Sequence, residues 1–293
     1  MSGKVRKLIS VLLAAAISLP VFTGLTVLAD NIDETAVESY SEDIVRPTRP
    51  PEPSNADGMV SLMSKDDTYS EVVHIKTVED LLAVEGHRDG YYILENDLNI
   101  SGMEWKALNL SHGVFNGNGH TISGMTITEA PTGYRGNEIG FFGGTDNYVY
   151  DLKLDNIKII LNITDTKASN SISAMGSAYA DSCRVSGKIS VDLNFDGERG
   201  NSGRTCAIER GTDCRAEIDI KVTTRYREYN QMSVYGLYSC TNSVMSGDIY
   251  VSAGDTPNKG VYAYGLYDCA NSKMYGDMYI RAYPAHSRAD VRS

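Results

Sequence analysis

Tyr235-Gly236-Leu237-Tyr238-Ser239-Cys240 is followed 29 residues later by Tyr264-Gly265-Leu266-Tyr267-Asp268-Cys269, identical at all but one position. Extended upstream, the match places Gly176, Ala207, Gly236 and Gly265 in one column, with spacings of 31, 29 and 29. Thirteen residues after each comes Ile189, Ile220, Ile249 or Met278, and fifteen after each comes Val191, Val222, Val251 or Ile280. Between them stand Ser190, Lys221, Tyr250 and Tyr279. Nine residues into the units lies a further apolar set: Val185, Ala216, Met245 and Met274. Two apolar residues flanking a variable one, at period two, make a strand with one face in and one face out.

A fixed period in this range means a solenoid or a propeller. A propeller blade needs four strands and about 40 residues. These units hold two or three short strands punctuated by Gly, Asn and Asp, so one coil of a parallel solenoid fits better. Like offsets then stack about 4.8 Å apart. Ser182, Asp213, Asn242 and Asn271, six residues in, form a polar column that reads as structural, serving the backbone at a corner. Weaker repeats extend upstream through Phe115-Asn116-Gly117-Asn118-Gly119-His120-Thr121-Ile122 and Ile139-Gly140-Phe141-Phe142-Gly143. The count from Phe115 to Ile280 is about six coils, or roughly 29 Å of solenoid. Thr77-Val78-Glu79-Asp80-Leu81-Leu82-Ala83-Val84-Glu85-Gly86 supplies an N-terminal capping helix, with Thr77 as cap, Asp80 facing the first amides and Gly86 as stop. Leu81, Leu82 and Val84 give it an apolar side, and Trp105 is expected beneath it.

The order Thr77-Val78-Glu79-Asp80-Leu81, Tyr91-Tyr92-Ile93-Leu94-Glu95-Asn96-Asp97-Leu98, Phe115 to Ile122 and Gly140-Phe141-Phe142-Gly143 resembles secreted bacterial right-handed β-helix proteins with GLUG-type repeats, of the pectin-lyase-like fold group. The later units keep Gly236-Leu237 and Gly265-Leu266 but lose the closing Gly. The resemblance covers roughly residues 72–280. It implies an all-β, right-handed parallel β-helix in an extracellular setting, and no single activity. Such folds serve in adhesins, in non-catalytic parts of proteases and beside carbohydrate-active enzymes.

Residues 1–29 read as a signal peptide: Lys4, Arg6 and Lys7, an apolar run from Leu8 to Leu19, and Val27-Leu28-Ala29 before Asp30. Residues 30–71 read as an acidic, Pro-rich linker. Asp30 to Gly58 holds eight acids against Arg46 and Arg49, with Pro47, Pro50, Pro51 and Pro53. Charge repulsion and fixed proline dihedrals favour an extended spacer there. Residues 72–283 are the solenoid, and 284–293 a polar tail. The net charge is −11, and loss of the three signal-peptide cations takes it to about −14. That charge repels nucleic-acid phosphates and anionic membranes, and nothing after the signal could span a bilayer.

Candidate chemistry is sparse. Asp192-Leu193-Asn194-Phe195-Asp196-Gly197 matches the first half of a calcium loop, so Asp192, Asn194 and Asp196 could converge on one hard cation. The twelfth position is Gly203 instead of a bidentate Glu, and the same residues also read as a strand with a wet face. No other cofactor is indicated. Asp219, Asp248 and Asp277 share a column with Lys188, as a cation ladder or as a solvated corner. Cys183 and Cys214 share one column and Cys240 and Cys269 another, with Cys206 apart. Stacked Cβ atoms about 4.8 Å apart are too far for a disulfide, which favours buried thiols despite export. His120 sits in a Gly-Asn-Gly turn with neither a nucleophile nor a second His. Eleven of the nineteen tyrosines fall between Tyr226 and Tyr283. Tyr250 with Tyr279, and Tyr238 with Tyr267, should form rows fit for sugars or protein partners, or rows that only stabilise the sheet.

Together these features point to a secreted or cell-surface β-helix module with a structural or adhesive, non-catalytic role. Its partner would be an extracellular glycan or a surface protein. The alternative is a carbohydrate-binding or carbohydrate-cleaving protein on the same fold.

Overall fold

The structure, a computed structural model, describes residues 69, 71–86, 90–110, 113–130, 137–144, 147–164, 170–194, 202–225, 231–253, 261–282 and 291–292. The signal peptide, nearly all of the linker, and Asp196 lie outside them. The chain winds as a parallel β-solenoid through three sheets. Sheet 1 stacks Val72–Ile75, Tyr91–Leu94, Val114–Asn116, Tyr148–Tyr150, Tyr179–Asp181 and Gly211–Thr212. Sheet 2 has Lys153–Ile163, Arg184–Asn194 and Arg215–Arg225 at its centre, with shorter strands on either side. Sheet 3 stacks Asn137–Ile139, Asn170–Ser173, Ser202–Glu209, Gln231–Tyr238, Val261–Tyr267 and Val291–Arg292. The last of these falls inside the stretch read as a polar tail and pairs with Ala263 and Tyr264. Four turns, opening at Val114, Tyr148, Tyr179 and Gly211, pass through all three sheets. Two more replace the sheet 1 strand with single bridges at Thr241 and Ala270.

The columns read from sequence are physical neighbours. Ile189 pairs with Ile220, Ile220 with Ile249, and Ile249 with Met278. The Val185 column runs back through Leu154, Ile122 and Leu98. These side chains fill the interior, where Ile220 and Ile249 have no exposed surface. One column differs from the sequence alignment. Ser173 pairs with Cys206, and the Ala174 amide donates to the Ala207 carbonyl over 3.1 Å, so Ala174 and not Gly176 stacks on Ala207. Two extra residues intervene before the alignment recovers at Cys183. Gly176 takes φ +77 against Phe142, where an added Cβ would stand 1.7 Å from the carbonyl oxygen. Only glycine tolerates that approach.

Corners are set by left-handed residues. Asn118, Asp151, Ser182, Asp213, Asn242 and Asn271 all hold φ between 50 and 55. The polar column is therefore structural, as expected, but it works through conformation and backbone. The Ser182, Asp213 and Asn242 amides donate to Thr212, Thr241 and Ala270 carbonyls on the next turn. A second such column, Arg210, Ser239 and Asp268, links sheet 3 to sheet 1.

At the N-terminal end, Val78–Ala83 is helical. The Thr77 side chain accepts from the Asp80 amide, while Asp80 accepts from the Lys76 and Thr77 amides, which holds its carboxyl below the usual range. A 3-10 turn, Val84–Gly86, follows. Leu81 and Val84 join the core, but Leu82 is 44% exposed and does not belong to the apolar side. Trp105 is buried in the same core, stacked on Phe141 at 4.7 Å and donating its indole N–H to the Phe141 carbonyl.

Candidate binding surface

Sheet 2 presents its variable column outward, in the order Ile160, Ser190, Lys221, Tyr250 and Tyr279. The rings of Tyr250 and Tyr279 lie parallel, 4.6 Å apart with 6° between their planes. They are 41% and 38% exposed. Each hydroxyl donates to a carboxylate two residues earlier, Asp248 at 3.1 Å and Asp277 at 2.9 Å. Partial desolvation and the Asp248 bond raise the Tyr250 hydroxyl above its ordinary pKa, and the Asp277 bond with partial desolvation does the same for Tyr279.

Those aspartates belong to the column that also holds Asp219 and Lys188. Asp219 Oδ1 accepts the Asp248 amide at 3.0 Å, and Asp248 Oδ1 accepts the Asp277 amide at 2.8 Å. Asp219 and Asp248 thus each close a corner of the next turn, while Asp248 and Asp277 each hold a tyrosine. Stacked like charges are offset by amide and hydroxyl donors. The sequence placed these residues in columns but gave no sign that the two columns were bonded to each other.

Sheet 3 carries the other tyrosine rows on its outer face. Tyr238 and Tyr267 stack at 5.6 Å and 4°, and Tyr235 and Tyr264 at 5.4 Å and 17°. The rows touch side by side, Tyr235 to Tyr238 at 4.9 Å and Tyr264 to Tyr267 at 5.1 Å. Tyr235 and Tyr264 are buried, while Tyr238 and Tyr267 are half-buried. Burial, aided by the surrounding tyrosines, pushes the Tyr235 hydroxyl up to about 12. Cys206 lies in the Tyr235 column, and burial raises its thiol well above the usual value.

Beside the rows sits a polar group that the sequence did not flag. Glu209 is fully buried on the outer side and takes Arg204 Nη2 at 2.6 Å, Arg210 Nε at 3.6 Å and the Ser171 hydroxyl at 3.2 Å. Arg204 lies over the Tyr238 ring and Arg210 over Tyr179, at 4.9 and 5.2 Å. Arg210 thereby joins the sheet 3 tyrosines to a second set on sheet 1, where Tyr91, Tyr148 and Tyr150 cluster under Tyr69.

The remaining candidates fall apart from these surfaces. Asp192 and Asn194 lie on the strand Arg184–Asn194, paired with Thr223 and Arg225. Among the described residues no group of three or more His, Cys, Asp or Glu could hold a metal ion. His120 Nδ1 is 3.2 Å from Asp97, which also accepts the Thr121 amide, so His120 serves a turn. All five cysteines are free thiols. Among the described residues no helix is long and apolar enough to cross a membrane.

The geometry defines a parallel β-solenoid with outward tyrosine rows. No family model and no curated protein matches the chain. Among solved structures it is similar to a candidate immunoglobulin A1 protease from Bacteroides ovatus, at 10% identity and a TM-score of 0.34, over 75% of this chain and 83% of that one. A likeness at that level carries no argument about activity.

Proposed function

We propose that this chain is a secreted or cell-surface β-helix module with a structural and adhesive role and no catalysis of its own, akin to the GLUG-repeat group of pectin-lyase-like folds. The observation that carries the reading is the Tyr250–Tyr279 pair, exposed on an outer face and fixed in direction by Asp248 and Asp277. Two stacked rings cover one another's facing surfaces. They offer edges, hydroxyls and the outermost ring face, a pattern suited to the polar and apolar patches of a surface protein or a glycan. Pre-set ring directions lower the ordering cost of binding.

The test is a glycan array together with binding to purified cell-surface proteins, comparing the full chain with a Tyr250→Ala/Tyr279→Ala variant. Ligand binding reduced tenfold or more in the variant supports the reading. Release of reducing sugar, abolished by one carboxylate substitution, would overturn it in favour of a carbohydrate-cleaving protein.

A further inference from the structure

The last strand of sheet 2 leaves an unmatched edge at the C-terminal end of the solenoid. Met278–Ala282 pairs with Ile249–Ala253 on one side, and among the described residues no strand pairs with its other side. Leu266, Met274 and Ile280 are half-buried there, whereas Leu237, Met245 and Val251, one turn earlier, are buried. An apolar end with an open strand edge is a template for pairing with a further strand. The helix Val78–Ala83, with Leu81 in the core, caps the opposite end and opposes head-to-tail stacking into a fibre. A two-fold join of two C-terminal ends closes on itself and buries both.

The backbone fixes which residues can join. The Ile249 amide donates to the Asp277 carbonyl over 2.9 Å, so Asp277 points its main-chain groups back to the preceding turn. Pointing alternates along a strand. Tyr279 and Arg281 therefore also face back, while Met278 and Ile280 turn their amides and carbonyls to the open edge. An antiparallel pair about a two-fold axis at Tyr279 sets Met278 against Ile280 of the second copy, with both main-chain bonds available. It sets Tyr279 against Tyr279 of the second copy as a non-hydrogen-bonded pair, with Cα atoms about 4.5 Å apart. That spacing matches the 4.6 Å of the Tyr250–Tyr279 stack, so the row becomes four rings long. The same register brings Asp277 opposite Arg281 of the second copy, once on each side of the axis. Asp219 and Asp248 each give Oδ1 to the amide of the following turn, and Asp277 Oδ1 holds that position where, among the described residues, no turn follows. A guanidinium has five donors, so Arg281 can meet this oxygen and keep contacts inside its own chain. A slip of one residue, to an axis at Ile280, sets Tyr279 against Arg281 and takes the cation away from Asp277.

We infer that two copies of this chain join tail to tail through Met278–Ala282, as an antiparallel two-fold dimer held by Met278 with Ile280, by the Tyr279 pair and by two Asp277–Arg281 bridges. The join covers the outer ring face of Tyr279 and leaves the edges and hydroxyls of four rings in one exposed row. It is read from oligomeric state, so its failure is distinct from a failure of ligand binding at Tyr250 and Tyr279. Analytical ultracentrifugation of the full chain tests it. The chain should sediment as a dimer at micromolar concentration. Arg281→Asp and Asp277→Arg should each weaken the dimer at least about tenfold, because like charges then oppose one another at both bridges. An equimolar mixture of the two variants should regain the dimer, because each Asp of one then faces an Arg of the other. The corner accepts a cation, since Lys188 stands in the Asp277 column, and unchanged circular dichroism spectra confirm equal folding. A full chain that stays monomeric throughout the micromolar range overturns the proposal. So does a dimer that neither charge reversal weakens, or a mixture that stays monomeric, which would assign the edge to another register or another occupant.

Discussion

The amide of Cys240 donates to the sulfur of Cys269, 3.3 Å away on the next turn. The Gly211 amide makes the same bond to Cys240, and each thiol in turn donates to the carbonyl two residues behind it, at Tyr238 and Tyr267. At the neighbouring corner Ser243 and Ser272 do this work with hydroxyls, taking the Cys214 and Ser243 amides at 3.1 Å. The cysteines therefore act as the serines do, as corner bonds in a ladder. Cys240→Ser should cost no more than about 1.5 kcal/mol, because the hydroxyl inherits both partners, while Cys240→Ala removes the bond from the Gly211 amide and the thiol's own bond to Tyr238, and should cost about 1–3 kcal/mol. Urea unfolding of both variants checks the ranking. The same ladder predicts five titratable thiols in the denatured, unreduced protein and slow labelling in the folded one, since bonding to Cys269 and burial raise the Cys240 thiol well above its usual pKa.

Core columns should show the largest losses. Ile220 is fully buried between Ile189 and Ile249, and neither neighbour can move without disturbing its own rung. Ile220→Ala should cost about 3–4 kcal/mol, transfer and cavity together. Ile160, on the opposite face and 42% exposed, should change stability by no more than about 0.5 kcal/mol when made Ala. Chemical denaturation of the two separates the faces. Equal losses would mean the strand is turned the other way.

The corner residues make a different kind of demand. Asp213 holds φ 52, and its amide bonds the next turn through Thr241. Asp213→Val should cost about 1–3 kcal/mol from left-handed strain, whereas Asp213→Gly should be close to neutral. Thermal melts of the pair distinguish conformational need from side-chain bonding, because the glycine variant keeps the first and loses the second.

Period and burial were legible because a solenoid repeats one environment. Ile189, Ile220, Ile249 and Met278 meet the same neighbours, so a single offset identifies them. The Gly176 column slipped because two residues bulge out of that turn, and a spacing of 31 fits as well as the actual 33 when only one glycine is matched. Leu82 misled because its apolarity says nothing about the direction it faces on a helix this short. Glu209 was invisible for another reason. Its partners Ser171 and Arg204 come from two different strands, and nothing in the repeat marks a position where a single turn departs from its copies.

Breaking that Glu209 group should be costly. The carboxylate has no exposed surface, and Arg204 at 2.6 Å is its nearest cation. Arg204→Ala strands a buried negative charge with Arg210 farther off, and should destabilise by roughly 3 kcal/mol. Arg204→Ala combined with Glu209→Gln should recover a good part of that loss, since the neutral amide needs no counter-charge. A double-mutant cycle on urea midpoints checks the recovery.

The tyrosines set the alkaline limit. Burial pushes Tyr235 up to about 12, and carboxylate bonding with partial desolvation raises Tyr250 and Tyr279. A folded-state pKa above the unfolded value of about 10 means the folded chain prefers the neutral phenol. The stability this adds is fully present below pH about 10 and is lost as pH climbs toward 12, because the unfolded chain gives up its protons first. Absorbance at a phenolate wavelength should therefore show a late group of tyrosines in the folded protein that merges with the rest on unfolding. Tyr235→Phe should remove part of the late group and flatten the alkaline arm of the stability curve. Tyr279→Phe should release the Asp277 acceptor oxygen to water with little change in stability, since both groups already face solvent. If Tyr235 titrated with the exposed phenols, the sheet 3 rows would have to be open to water, and their packing would no longer account for the burial of Cys206 beside Tyr235 in the same column.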